Sequence, residues 1–219
     1  LRSHRGLDVG AIFVAKRLQD KLGAPLLYST VSRLLIDLNR PLMADGLHSK
    51  WTAPLKESGR RSLERQFHQP YWRRARQQAK RLIKTRGLAI HFSIHSFTPV
   101  LRGARRACHI GLLFDPRRSL EASVAAKLQK TLKKEFPRYK IRLNYPYRGA
   151  SPGLTQSLRA DFSELSYCGI EIELNQALLR EKVKSAQFRQ NLADRLASAL
   201  DQALPTTVPS VKLIKGSKK

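Results

Sequence analysis

Acidic side chains are in short supply in this chain. Sixteen Asp and Glu stand against 42 Lys and Arg, which leaves a formal charge of +26. A field that positive attracts polyanions and raises on-rates for small anions. Cysteine is nearly absent: Cys108 and Cys168 lie far apart and outside any CxxC spacing. That excludes a disulfide scaffold and a zinc ribbon, and it points to a reducing, cytoplasmic compartment. No apolar run approaches the roughly 18 residues of a membrane span, so a membrane partner is not expected. Methionine occurs once, at Met43, and the chain opens Leu1-Arg-Ser-His-Arg-Gly. Such a start reads as a fragment or a trimmed protein, and no charged-then-apolar signal segment is visible. GxGxxG, GxSxG, Walker, RNP, KH and zinc-finger patterns are missing, as is any repeat at a solenoid period.

What is present suits one α/β domain. The chain has 219 residues, 42% of them hydrophobic, enough to bury a core. Helical spacing covers Asp8 to Leu22, with Val9, Ile12, Phe13 and Leu18 on the apolar side and Gly23 as the stop. Pro25 to Ser29 and Arg33 to Asp37 read as short strands. A loop from Leu38 to Ser58 follows, then a long basic helix from Arg60 to Arg86, broken near Pro70. Strands are expected at Leu88 to Ile94, Ile110 to Phe114, Lys140 to Leu143 and Tyr167 to Leu174. Helices are expected at Leu120 to Phe136 and Arg180 to Leu204. Strands alternating with helices predict a three-layer α/β fold with a mainly parallel or mixed sheet. The domain runs over 1–204, followed by a basic tail at 205–219.

Several clusters could carry chemistry. The run Leu88 to Ile94 delivers His95 toward a turn closed by Pro99, and the strand is predicted to end at His95. Ligands of open α/β sheets collect outside the carboxyl ends of strands. A histidine there can bind a metal or move a proton, or it can be a hydrogen-bonded core residue. His91 shares the strand face of His95, but four strand residues span about 13 Å, too far for one metal unless the chain bends. His109, after Cys108, is a second candidate. Glu171 and Glu173 alternate within Gly169-Ile-Glu-Ile-Glu-Leu174, so both carboxylates point to one face. Burial would raise a carboxyl pKa toward neutrality, where acid–base work is efficient. A half-exposed edge strand would accommodate the pair equally well.

Asn39 and Arg40 follow a predicted strand, where a guanidinium fork could grip a carboxylate. A plain surface turn has the same composition. Tyr145, Tyr147 and Arg148 form an aromatic-basic turn that could line a pocket or simply pack. Arg60 to Arg86 holds ten Lys and Arg against Glu64, with Tyr71 and Trp72 interleaved. It reads either as a nucleic-acid surface or as a solvated helix face.

Taken in order, six stretches resemble the N-formylglutamate amidohydrolase family. They are His4-Arg-Gly-Leu-Asp-Val-Gly-Ala11, Ser32-Arg-Leu-Leu-Ile-Asp-Leu-Asn-Arg40, His95-Ser-Phe-Thr-Pro99, Gly111-Leu-Leu-Phe-Asp-Pro-Arg117, Asn144-Tyr-Pro-Tyr-Arg-Gly149 and Gly169-Ile-Glu-Ile-Glu173. The resemblance implies a phosphorylase/hydrolase-like fold similar to zinc carboxypeptidases and aspartoacylases. It implies a zinc-dependent hydrolase acting on linear amide C–N bonds, whose substrate is a small anionic N-acyl amino acid such as N-formylglutamate. By the same resemblance His95 is a metal ligand, and Glu171 is the general base and acid, with Glu173 as the alternate. Arg40, beside Asn39, holds a substrate carboxylate, assisted by Arg33 and by Tyr147 and Arg148 of the later turn. Family members carry an earlier strand and turn of the form Glu-His-Gly-Gly-Asn or Asp-His-Ala-Gly-Asn, which supplies the first metal ligands; this sequence starts after it. The alternative is a non-catalytic member that binds nucleic acid or another polyanion through the 60–86 segment.

Overall fold

The computed structural model describes residues 6–180 and 184–204. Its helices are α1 (Ala11–Leu22), α2 (Glu57–Leu63), α3 (Gln69–Arg86), α4 (Ser119–Glu135), α5 (Leu154–Asp161) and α6 (Ala186–Ala203). Its strands are β1 (Ala89–Phe97), β2 (Val100–Leu101), β3 (Ala104–Arg105), β4 (Ile110–Leu113), β5 (Ile141–Leu143) and β6 (Tyr167–Asn175). The expected tail at 205–219 lies outside the described residues.

Four strands form one mixed sheet in the order β1-β6-β4-β5, and β2 with β3 makes a separate small hairpin. β1 runs parallel to β6, and β4 parallel to β5, but β4 is antiparallel to β6. The sheet is therefore mixed. β6 lies between β1 and β4, so Glu171 and Glu173 belong to an interior strand and not to an edge. β1 and β5 are the edge strands. β1 also runs on past His95 to Phe97, two residues beyond the expected end.

Alternation along β1 and β6 divides the sheet into two unlike faces. Ile90, Phe92 and Ile94, with Ile170, Ile172 and Leu174, pack into the main core against α1, α4 and α6. The opposite face begins at Ala89 and Tyr167, covered by Trp72 and Ala79 of α3 and Leu154 and Leu158 of α5. Toward the carboxyl ends of the strands that same face turns polar.

Helix boundaries follow local chemistry. In α1 the buried positions are Ala11, Val14 and Leu18, while Ile12 is 37% exposed. The helix starts three residues later than the spacing predicted, after Gly10, and Gly23 ends it in the left-handed region at φ 59°. The break expected near Pro70 is a single widened turn over Glu64–His68, where the Gln69 N–H reaches back five residues to the Glu64 carbonyl. Pro70 has no N–H, and its ring would clash with a carbonyl four residues earlier, so the turn before it opens. α6 starts at Ala186, later than the predicted Arg180, because the Ser185 hydroxyl accepts the Phe188 N–H at 3.1 Å and caps it.

The two short strands expected at 25–29 and 33–37 are not strands. Leu26 and Leu27 are half-buried beside α1 and α3, and 32–40 is a series of turns closed by Ile36 N–H to Ser32 O and Arg40 N–H to Asp37 O. Ile36 is fully buried. Its apolar neighbourhood reflects packing under a turn, not pairing in a ladder.

A buried ion pair braces the polar face from below. Arg159 of α5 donates to Glu121 of α4 at 2.9 Å and 3.1 Å, to the Gly149 carbonyl at 2.6 Å and to the Gly169 carbonyl at 2.8 Å. Glu121 in turn accepts the backbone N–H groups of Gly169 and Asp115. Removing a buried charge pair from water is costly, and this set offsets that cost by satisfying nearly every donor and acceptor it buries. Among the described residues no helix is long and apolar enough to cross a membrane.

Candidate functional site

The polar half of the sheet face gathers residues from four distant parts of the chain. The parallel register sets His95 opposite Glu173 and Ser93 opposite Glu171. Asp8 arrives from the turn before α1, and its Oδ2 accepts from His95 Nδ1 at 2.7 Å. Asp8 Oδ1 accepts from Arg33 Nη1 at 3.0 Å, and Arg33 Nε lies 3.6 Å from Asp37. On its other side, His95 Nε2 meets Ser93 Oγ at 2.9 Å.

Electrostatics within this cluster are strongly coupled. Burial alone would lower the His95 pKa, but the hydrogen bond to Asp8 and the charges of Asp8, Glu173 and Glu171 outweigh it and lift it to about 9. His95 is thus an imidazolium at neutral pH, donating from both ring nitrogens. Asp8 moves the other way: burial opposes its ionisation, yet His95 and Arg33 hold its carboxyl below the usual range. Glu173 is only 6% exposed, and its Oε2 has no hydrogen-bond partner. Burial pushes its pKa up to about 7, with Asp8 and Glu171 adding to the rise and His95 and Arg33 opposing it.

His91 sits lower on the same face and turns away from this chemistry. Its Nδ1 meets the Tyr167 hydroxyl at 2.7 Å, and burial beside His95 and Arg159 lowers its pKa to about 4. His109 stacks on Tyr139 and accepts the Lys140 N–H, outside the cluster.

The anticipated substrate-binding residues divide. Arg33 joins the cluster. Asn39 instead anchors α5, its carbonyl and Oδ1 both accepting the Leu154 N–H at 3.2 Å. Arg40 is exposed, and it is its carbonyl that is engaged, with His68 at 2.7 Å. Tyr147 is 45% exposed at the rim and accepts from Arg106 Nη1 at 2.9 Å; it adds to the charge environment of Arg33. Arg148 is exposed beyond it. His4 lies outside the described residues. Two loop motifs meet through Asn144, whose Oδ1 accepts from both Phe114 N–H and Gly149 N–H at 3.1 Å. A Cβ on Gly149 would run into the Phe114 backbone, so this close approach requires glycine.

Asp8 was the residue that sequence reasoning passed over. It lay inside the first matched stretch, but nothing in its neighbours gave a carboxylate before a helix a partner 87 positions away. Ser93, Glu121 and Arg159 were missed for the same reason.

The zinc implied by resemblance does not fit the residues described. Among them no three His, Cys, Asp or Glu side chains converge on one point, and both ring nitrogens of His95 are already engaged. A catalytic zinc takes about three protein ligands and an open position. The chemistry these residues do offer is a buried carboxyl poised near neutrality beside two fixed cations, His95 and Arg33.

A cavity of about 180 Å³ lies between α1, α3 and the outer edge of β1. It is lined mainly by apolar groups such as Leu18, Leu82 and Phe92, and it is separate from the cluster around His95.

Comparison with known proteins bears on the family and the fold. The family description "N-formylglutamate amidohydrolase" matches residues 1–180. A solved gene product from Agrobacterium tumefaciens is similar, with 26% identity and a TM-score of 0.77 over 92% of this chain and 79% of that one. A solved N-formylglutamate amidohydrolase from Ralstonia eutropha shares the fold, with 16% identity and a TM-score of 0.69 over 90% of this chain and 82% of that one. No curated protein matches the sequence. With more than half its length matched, the chain belongs to the N-formylglutamate amidohydrolase family.

Proposed function

We propose that this protein is an amide hydrolase acting on an N-acyl acidic amino acid, N-formylglutamate being the first substrate to test. The observation that carries the reading is Glu173: a buried carboxyl with one unpartnered oxygen, next to Glu171 and across the register from His95. A carboxyl whose pKa is near 7 can take a proton from water and return it to a leaving amine. This favours Glu173 over Glu171 for the acid–base role. Arg33 would hold a substrate carboxylate by a forked contact, a reading supported by its hydrogen bond to Asp8 within the cluster, whereas the Arg40 side chain is exposed. Two buried free cysteines suit a reducing compartment such as the cytoplasm. The fold relation to zinc carboxypeptidases belongs to the same reading.

The second reading is a family member that holds an anion without hydrolysing it. It is favoured by the lack of a metal-binding group of three among the described residues. Formate release from N-formylglutamate, measured with added zinc and after chelator treatment, separates the two. Hydrolysis lost in Glu173→Gln and retained in Arg40→Met supports the enzyme. No release under either condition supports the binder. Release only with added zinc would place the metal ligands outside the described residues.

A further inference from the structure

From Arg65 to Phe114 the sequence has no Asp or Glu, while it holds eleven Lys and Arg. Most of these bases sit on α3. With 18 residues the helix is about 27 Å long. Arg73, Lys80 and Lys84 follow at i, i+7 and i+11, so they share one face, and Arg74 and Arg81 flank them. All five are exposed. The nearby acids are committed elsewhere: Glu57 pairs with Arg61, Glu64 with His48 at 3.0 Å, and Asp161 with Arg76 at 2.5 Å.

The other side of α3 faces the protein interior. Trp72 and Ala79 are buried, and the Trp72 indole N–H donates to the Leu38 carbonyl at 2.8 Å. Tyr71, Leu82 and Ile83 pack with them. The aromatics interleaved in the basic segment therefore face inward and cannot stack on bases. The apolar face is likewise unable to enter a lipid interface, which membrane-surface helices require. What remains outside is a stripe of cations with guanidinium forks, none of the five held in an ion pair among the described residues. A duplex offers the matching surface, since its phosphates recur about every 1.7 Å of axis.

We propose that the solvent face of α3 binds the phosphate backbone of double-stranded nucleic acid, without reading its sequence and independently of any hydrolysis at the His95 cluster. The helix lies along the backbone, and Arg73, Arg74, Lys80, Arg81 and Lys84 make the contacts.

The test is a fluorescence-anisotropy titration of the full chain with a labelled DNA duplex of about 20 base pairs, at salt from about 0.05 to 0.3 M. Wild-type binding should weaken linearly on a log–log plot. The triple variant Arg73→Gln/Lys80→Gln/Lys84→Gln should flatten that slope by roughly 2–3, since each lost phosphate contact removes about 0.9. It should also bind about tenfold or more weakly at 0.1 M salt. Lys130→Gln/Lys133→Gln/Lys134→Gln on α4 removes the same charge from other exposed positions and should keep the wild-type slope. All six side chains are exposed, and matching thermal unfolding curves would establish that both variants fold. Equal weakening by the two triples would overturn the proposal, because net charge alone would then explain binding. So would negligible wild-type affinity at about 0.1 M salt, tighter binding to a single strand, or equal competition by polyglutamate at matched charge.

Discussion

Asp8 and His95 are 87 positions apart in sequence, yet the Asp8 carboxylate accepts a 2.7 Å hydrogen bond from His95 Nδ1. This contact ties the entry of α1 to the last third of β1. It is also the largest influence opposing burial at His95, and so does most to keep the imidazole charged.

Replacing Asp8 by Asn should therefore act through pH. His95 is raised from 6.5 to about 9, so its contribution is full below 6.5 and lost as pH climbs through 9. Asp8 is lowered from 3.8, so its contribution is full above 3.8 and lost as pH falls through the depressed value. Asp8→Asn should cost on the order of 2–3 kcal/mol at pH 6 and much less at pH 10. Urea unfolding at both pH values measures this. An equal cost at both would mean that packing, not charge, holds the pair.

Glu173 carries the opposite liability. Its pKa is raised from 4.5 to about 7, so ionising it erodes stability as pH rises through that range. Above pH 7, Glu173→Gln should be more stable than wild type by roughly 1–3 kcal/mol. Its hydrolysis rate should fall by about 10²–10⁴. Thermal unfolding and formate release on the same sample check both halves. A variant that is inactive and destabilised would make Glu173 a structural residue.

Arg33→Met should raise KM for N-formylglutamate by about tenfold or more, with a smaller change in kcat, as loss of a binding contact does. Arg40→Met should leave both near wild type, because the Arg40 side chain is exposed and makes none of the contacts within the cluster. Steady-state kinetics on the two variants decide which arginine meets the substrate. The reverse pattern would move the carboxylate site to the 37–40 turn.

Arg159→Met should cost about 3–5 kcal/mol, because it strands Glu121, which has no exposure to solvent. The double variant Glu121→Leu/Arg159→Met should cost less than the single change. Denaturant midpoints for the set give the coupling energy. Additive costs would show that the two residues act separately.

Long periodic segments were legible in the sequence, and so were the strands. β1, β4, β5 and β6 fall within three residues of their expected bounds, as does α4, since alternation and helical spacing record burial directly. α5 was not legible: eight residues give about two turns, and one of its inward positions is Arg159. The sequence also misled at Arg33 to Asp37, where β-branched and leucine side chains fill a buried turn. At the site, alternation placed Glu171 and Glu173 on one face, but the meeting of Asp8, Arg33 and His95 depends on tertiary folding. Asn39 has the look of a ligand-binding residue, and its carbonyl and Oδ1 both accept the first N–H of α5.

Over 90–95 and 170–174, β1 and β6 carry Ile, Phe and Leu at even numbers and His, Ser and Glu at odd ones. Each strand is therefore one object with two tenants. Sliding either by a single residue would swap the sides, sending carboxylates into the oily interior and isoleucines onto the polar face. Catalytic placement and structural integrity cannot drift apart in this fold. A single inserted or deleted residue in either strand would end both together.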